Sequence, residues 1–527
     1  MLVLRLPARF PLRFLIALVL GALHSFAFLA DSAWPLEIAT LAGLVALCGV
    51  RPGNAREPWA EARAGFAFGL GWFLAGTHWI YISMHTYGAM PALLAALATL
   101  LLCAYMALYP ALACGAQAWL ARRFGLSARD TTLLLFPALW MLSEWLRGTV
   151  FTGYPWLASG YAHVAGPLAG YAPVVGVYGV ALAAALVAGA IALAGAQSHS
   201  GARGHARLAL ATAMGVILAG SLLARIEWSH PSAAPLSVRL IQGNIDQDLK
   251  FVEARFEKTL DTYLRLTEAG PADLIVLPET AMPRFLHQLP PEVMARLSAF
   301  ANATRSSIAF GVPIFNGERG YFNSVVAVTP GAPDGQSLQR YDKHHLVPFG
   351  EFIPPGFRWF VDLMRIPLGD FARGAVMQPP MRLAGTKVAF NICYEDLFPD
   401  EIARGARDAN LLVNVSNVAW FGDSLALPQH LQAARMRAIE TARPMLRATN
   451  TGMTAAIDPR GRVLTQLEPF STGALAVRIA PYAGDTPYLR WRDGGALLIG
   501  ALMVVAAVLA RRRVGANDAL ANAGNHP

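Results

Sequence analysis

Cysteine is scarce in this chain, with only Cys48, Cys103, Cys114 and Cys393 among 527 residues. No two form a C-x-x-C pair and three sit inside apolar runs, so neither a disulfide framework nor a zinc site is indicated. Charge is scarce too: 15% of residues are Asp, Glu, Lys or Arg, against 55% hydrophobic. The mean hydropathy of +0.41 exceeds that of an ordinary soluble domain and points to a membrane protein. The net charge of +9 is not gathered into the basic face that nucleic-acid binding requires; it falls in short Arg segments beside apolar runs, and no nucleic-acid partner is expected. Metal-ligand spacing such as H-E-x-x-H is missing, so no metal is expected.

What the chain has in place of charge is long apolar segments, eight of them, at about 14–30, 36–50, 64–84, 91–120, 131–147, 168–195, 208–224 and 495–510. A helix needs about 17 to 25 residues to cross a hydrocarbon core. The second and fifth are short or interrupted by Pro137 and Glu144, and a buried core helix is the alternative for each. Arginine supplies the orientation, because short cytoplasmic loops carry the Lys/Arg excess. With the N-terminus inside, the inner segments hold Arg5, Arg9 and Arg13; Arg51, Arg56 and Arg63; Arg122, Arg123 and Arg129; Arg203 and Arg207; and Arg511, Arg512 and Arg513. The outer loops near 31–34 and 84–88 hold none, and the loop after Leu146 holds Arg147. A cleaved signal peptide over residues 1–30 is the competing reading, but no A-x-A site follows cleanly and its removal would invert the charge pattern. The expected organisation is a transmembrane helical bundle of about seven spans over 1–225, a polar domain outside the cytoplasm over 226–490, and a last transmembrane helix with a cytoplasmic tail over 491–527. One outer loop combines Glu144, Arg147 and Phe151-Thr-Gly-Tyr-Pro-Trp156; it reads either as an aromatic belt or as a contact to a lipid headgroup or substrate.

From Leu236 the pattern switches to short β-rich runs at 237–244, 273–278, 307–313, 323–328, 387–393, 411–415 and 454–457, with amphipathic helices at 252–269, 292–303 and 429–442. That alternation predicts an α/β layered domain with helices covering a mixed sheet. In such folds reactive groups gather at the carboxyl ends of strands. Glu279 follows Asp273-Leu-Ile-Val-Leu-Pro278, Lys343 lies in Arg340-Tyr-Asp-Lys-His-His-Leu-Val-Pro-Phe-Gly-Glu351, and Cys393 ends Val388-Ala-Phe-Asn-Ile-Cys393. Each alone has a bland alternative, such as a small buried thiol for Cys393 or a surface ammonium for Lys343. The three in one domain point to covalent catalysis: a free thiol is mostly protonated at neutral pH, a carboxylate can take its proton, and an ammonium can stabilise the oxyanion that attack creates. His344 or His345 as the base is the rival assignment, though it leaves Glu279 without a role.

These three segments resemble the motifs of the nitrilase superfamily. With the membrane frame, and with Gln242-Gly-Asn-Ile245, Ala419-Trp-Phe-Gly-Asp-Ser424, Gln429-His430 and Ala434-Arg-Met-Arg-Ala-Ile-Glu440, the chain is similar over essentially its whole length to the apolipoprotein N-acyltransferase family. The resemblance implies a polytopic α-helical membrane bundle plus an α-β-β-α nitrilase-like domain facing the periplasm from the bacterial inner membrane. It implies Glu279 as general base, Cys393 as nucleophile and Lys343 as oxyanion stabiliser. Supporting roles fall to Glu351, which orients them, to Tyr394, whose N–H completes the oxyanion hole, and to Glu395; Asn323 and Trp420 match residues lining the substrate cleft, and Phe251 is the expected third substrate-binding position. Phe251 stands where the family has Trp, and Val418 where it has Asp. No cofactor is implied. The implied partners are a phospholipid acyl donor, a diacylglyceryl apolipoprotein acceptor and the membrane. A membrane-tethered amidase is the nearest alternative, and a transporter with an external binding domain a more distant one.

Overall fold

The computed structural model describes residues 10–51, 55–199, 203–250, 252–317, 320–331, 338–354, 356, 358 and 371–523. The chain divides into two compact units: one holds the residues up to His78, Ala96–Ile226 and the stretch from Asp493 onward, and the other holds Trp79–Ala95 and Glu227–Arg492.

The first unit is helical. Its helices cover each expected apolar segment: Phe10–His24, Trp34–Cys48, Pro58–Thr77, Ala92–Phe124, Phe136–Arg147, Ala172–His199, Arg203–Leu223 and Gly494–Ala523. Among the described residues, Ala92–Phe124, Pro167–Ser198 and Arg203–Leu223 are long and apolar enough to cross a membrane, and Leu12–Phe28, Trp34–Cys48 and Gly494–Ala510 are shorter apolar helices. Helices Phe10–His24 and Pro58–Thr77 approach backbone to backbone. A Cβ on Gly21 would lie 1.8 Å from the Phe68 carbonyl oxygen, and one on Gly71 2.0 Å from that of Leu18, the small-residue contact by which apolar helices pack without polar pairing. The expected span 64–84 is displaced. Its helix starts at Pro58, whose missing N–H is harmless in a first turn, and ends at Thr77; a separate turn, Trp79–Ile82, begins after His78. The loop after Leu146 is no headgroup site through its charges: Arg147 is buried and donates to the Tyr154 and Trp156 carbonyls at 2.6 and 2.7 Å, while Glu144 accepts from Ser159 N–H and, at 2.5 Å, from its hydroxyl. These charges close the loop on itself; Phe151 remains 84% exposed.

The second unit carries fourteen strands among its described residues, β1 (Ser229–Pro231) through β14 (Tyr482–Gly484), which pair with each other. The rest form two six-stranded sheets. One has β2 (Leu236–Gln242), β3 (Leu274–Val276), β4 (Ser307–Phe315), β5 (Tyr321–Val328) and β6 (Gln339–Asp342) in that order, with β13 (Gly473–Ile479) beside β2. The other has the order β12 (Val463–Gln466), β11 (Ala455–Ile457), β10 (Met445–Thr449), β9 (Leu411–Ser416), β8 (Thr386–Ile392), β7 (Met381–Leu383). In each sheet three strands run parallel, β2–β3–β4 and β8–β9–β10, and the flanking pairs are antiparallel.

Period-two alternation builds the layers. Val238, Leu240, Leu274 and Val276 of one sheet pack against Val388, Phe390, Ile392, Leu411 and Val413 of the other. Their neighbours Ile241, Ile275, Leu277 and Phe310 face the helices Glu253–Glu268 and Pro291–Thr304, and Ala389, Leu412 and Met445 face Pro399–Ala406 and Ala426–Thr441. The result is helix, sheet, sheet, helix. That is the α-β-β-α order the resemblance implies; the alternation of elements by itself pointed only to a mixed sheet, because strands buried on both faces read as continuous apolar runs that do not reveal which sheet they join.

Candidate active site

Strand ends bring the named side chains together. β3 gives way through Leu277 and Pro278 to Glu279, β6 is followed directly by Lys343, and β8 directly by Cys393. Lys343 Nζ lies 2.7 Å from Glu351 Oε1 and 3.5 Å from Glu279 Oε1, with all three side chains buried. Asn323, on β5, donates from Nδ2 to both carboxylates, at 2.7 Å to Glu279 and 3.2 Å to Glu351. Two buried carboxylates this close would repel; the ammonium and the amide between them remove that cost. The outer oxygens are fixed as well, Glu279 Oε2 by the Asn417 N–H at 2.7 Å and Glu351 Oε2 by the Val347 N–H at 2.8 Å. Burial works against the charge on Lys343, but Glu351, Glu279 and Cys393 outweigh it and hold the ammonium above the ordinary lysine range.

Cys393 is a non-glycine residue at φ +54°, opening the turn Cys393–Leu397. That left-handed conformation costs about 1–2 kcal/mol and persists only where surroundings enforce it. Glu395 is one enforcer. Its Oε2 accepts from the Ile392 N–H at 2.6 Å and the Tyr341 hydroxyl at 2.9 Å, and its Oε1 from the N–H groups of His344 and His345 at 2.7 and 3.0 Å. One carboxylate therefore ties the Lys343 segment to the Cys393 turn. Burial pushes the Glu395 carboxyl up to about 7, against the pull of those N–H groups and Lys343. Burial also pushes the Cys393 thiol up, with Glu279 adding to it and Lys343 opposing. A protonated thiol within electrostatic reach of the Glu279 carboxylate and the Lys343 ammonium suits proton removal during attack on a carbonyl.

The other expected residues are placed as follows. Tyr394 is buried, its ring edge-on to Phe398 at 5.0 Å. Trp420 is 39% exposed and meets the Tyr87 ring at 6.2 Å, on the turn Val418–Phe421 that follows Asn417. Phe251 lies outside the described residues. The rival histidines are engaged elsewhere: His344 Nδ1 is 2.8 Å from the Gly374 carbonyl, and His345 Nδ1 2.8 Å from Glu401, with its ring stacked on Phe398.

Sequence reasoning missed a second layer. Asn417 Nδ2 donates to Gln247 Oε1 at 2.7 Å, Asn450 Nδ2 to Asn417 Oδ1 at 3.0 Å, and Lys250 Nζ to the Glu279 carbonyl at 3.1 Å. Burial pulls Lys250 down to about 8, against the pull of Glu279 and Cys393. The signal available was positional: Asn417 and Asn450 are the first residues past β9 and β10, at the carboxyl ends of parallel strands.

The two-sheet layering and the Glu–Lys–Cys convergence define a carbon–nitrogen hydrolase type of domain. Residues 237–488 match the carbon-nitrogen hydrolase family model, and residues 20–190 match the apolipoprotein N-acyltransferase N-terminal domain. The apolipoprotein N-acyltransferase of Ralstonia nicotianae is 48% identical over 505 residues, covering 95% of this chain and 94% of that one. That of Bordetella bronchiseptica is 44% identical over 530 residues, covering 93% and 96%. Among solved structures, a CN-hydrolase superfamily protein from Xanthomonas campestris matches 50% of this chain and 97% of its own at 21% identity and a TM-score of 0.36. The chain belongs to the apolipoprotein N-acyltransferase family and is an acyltransferase.

Proposed function

We propose that the enzyme moves a fatty acyl chain from a membrane phospholipid to the N-terminal amine of a diacylglyceryl-modified cysteine on an apolipoprotein, through a thioester on Cys393. Glu279 takes the Sγ proton as sulfur attacks the ester carbonyl. The developing oxyanion meets Lys343 and the Tyr394 N–H. Collapse breaks the ester C–O bond, and Glu279 returns the proton to the departing lysophospholipid. The acceptor amine then attacks the thioester, Glu279 receives its proton, and the Cys393 thiol is restored as the amide forms. Asn323 and Glu351 hold Glu279 and Lys343 in register, and Trp420 lines the cleft. The helical unit spans the bacterial inner membrane, with the catalytic domain on the periplasmic side.

The observation that carries this reading is the buried Lys343 ammonium, held 3.5 Å from Glu279 and 2.7 Å from Glu351, in a chain whose apolar helices suit a lipid surface. A thioester formed before the acceptor arrives separates the two half-reactions. With phospholipid alone, purified enzyme should release at most about one lysophospholipid per active site, and adding lipoprotein acceptor should restart release. Continuous release of free fatty acid without acceptor would make the enzyme a hydrolase; lysophospholipid appearing only with acceptor would make the transfer direct.

A further inference from the structure

A buried charge cluster that the chemistry above does not use abuts the Cys393 turn. Asp396, His430 and Arg447 are at most 1% exposed. Asp396 Oδ2 accepts from Arg447 Nη1 at 2.6 Å, and Asp396 Oδ1 lies 2.7 Å from His430 Nε2. The same Nε2 is 3.2 Å from the Cys393 carbonyl oxygen, while Nδ1 is 3.1 Å from Arg447 Nη2. A guanidinium only donates, so Nδ1 must accept; both neighbours of Nε2 are acceptors, so Nε2 must carry the hydrogen. The cluster therefore selects one imidazole tautomer, whose N–H is shared between Asp396 Oδ1 at 2.7 Å and, in the longer branch, the Cys393 carbonyl at 3.2 Å. That carbonyl has a second donor, Asn414 Nδ2 at 3.1 Å, itself set by Asn391 at 2.6 Å.

A peptide group is planar, and in its trans form the carbonyl and the following N–H point in opposite directions. Pinning the Cys393 oxygen from two donors thus fixes the direction of the Tyr394 N–H. It also polarises that N–H, since hydrogen bonds to one end of an amide strengthen donation from the other. We infer that Asp396, His430 and Arg447 are positioning residues for the oxyanion hole, holding the 393–394 peptide so that the Tyr394 N–H faces the acyl oxyanion. The inference rests on the proposed thioester at Cys393.

Two reactions of one thiol separate this role from a general structural one. Alkylation by iodoacetamide displaces iodide at a saturated carbon and forms no oxyanion, whereas acylation by phospholipid does. His430→Leu should slow acylation ~10- to 100-fold and leave alkylation within about threefold, because only acylation needs the oxyanion donor. His430→Gln, which keeps a neutral N–H donor, should recover most of the acylation rate. Arg447→Lys keeps a cation for Asp396 but loses the bond to Nδ1, so it should show the same selective loss in milder form, and it carries the test if the leucine variant does not fold. Parallel loss of both reactions, unchanged acylation, or a glutamine variant no better than leucine would each overturn the inference. Wild-type enzyme that alkylates but never acylates would overturn the thioester reading itself.

Discussion

Lys250 is the residue whose placement the sequence least announced. The residue is 1% exposed, with its Nζ 3.1 Å from the Glu279 carbonyl oxygen, and burial pulls its pKa down to about 8, below the ordinary 10.5. Between those values the unfolded chain binds a proton that the folded domain does not, so stability rises with pH across that window, and below about pH 8 the cost of the buried charge is present in full. Lys250→Met should therefore stabilise the enzyme more at pH 7 than at pH 10, the two gains differing by about 2–3 kcal/mol. Thermal melting of both proteins at the two pH values checks this; equal gains would mean the ammonium is well solvated. Glu279, Lys343 and Cys393 were legible because each lies in a contiguous run whose residue order carries the resemblance. Lys250, Asn417 and Asn450 were not, since their roles exist only through contacts such as Asn417 to Glu279, 138 positions apart. His430 lay in a recognised run, yet its contact with the Cys393 carbonyl is set by Arg447 and Asp396, neither adjacent to it in sequence.

Among the strands, β4 backs the turn that carries Glu279. Gly311 on β4 packs against the Glu279 turn so closely that a Cβ would lie 2.4 Å from Thr280 N, 2.6 Å from the Pro278 oxygen and 2.7 Å from Glu279 Cα. All three are backbone atoms, and Thr280 is already at φ +49°, so the turn rather than a side chain must move. Gly311→Ala should displace Glu279 by about 1 Å, a misplacement that costs ~100-fold in rate, together with about 1–3 kcal/mol of overpacking. Single-turnover acylation beside a thermal melt reads both; wild-type acylation would show that the turn is not held where this packing puts it. The parallel strands were legible because β-branched, apolar runs mark doubly covered strands. β10 was not: Met-Leu-Arg-Ala-Thr over Met445–Thr449 contains an arginine, and only the partners Asp396 and His430 let Arg447 sit buried in a strand. The third apolar segment misled in the opposite way. Trp79 belongs with the catalytic unit, its Nε1 donating to Gln429 Oε1 at 3.2 Å and its ring 4.6 Å from Phe421, although its neighbours in sequence read as membrane-spanning.

At the scale of the whole molecule, the apolar helices leave large side chains uncovered, including Leu93, Leu101, Met214, Leu218, Leu498 and Leu502. Exposed apolar surface of that extent calls for a lipid covering, and the proposed direction rests on the arginine pattern. A reporter fused after Asp485 should behave as periplasmic and one fused after Arg513 as cytoplasmic; the same side for both would remove the last span and the tethered-domain arrangement with it. The apolar helices were legible because they rest on composition, which needs no folded contacts to be read. The second sheet was legible only through the resemblance to a two-sheet family, because pairing partners are set by packing rather than by any local run. What joins these scales is the claim that the acyl chain rests on one sulfur between donor and acceptor. Mass spectrometry of the enzyme after incubation with phospholipid, digested and mapped, tests it most directly. The account predicts a hydroxylamine-sensitive acyl adduct on the Cys393 peptide, discharged by lipoprotein acceptor, absent in Cys393→Ala and strongly reduced in Glu279→Gln. An active enzyme that carries no acyl group on Cys393 at any point in turnover would contradict it.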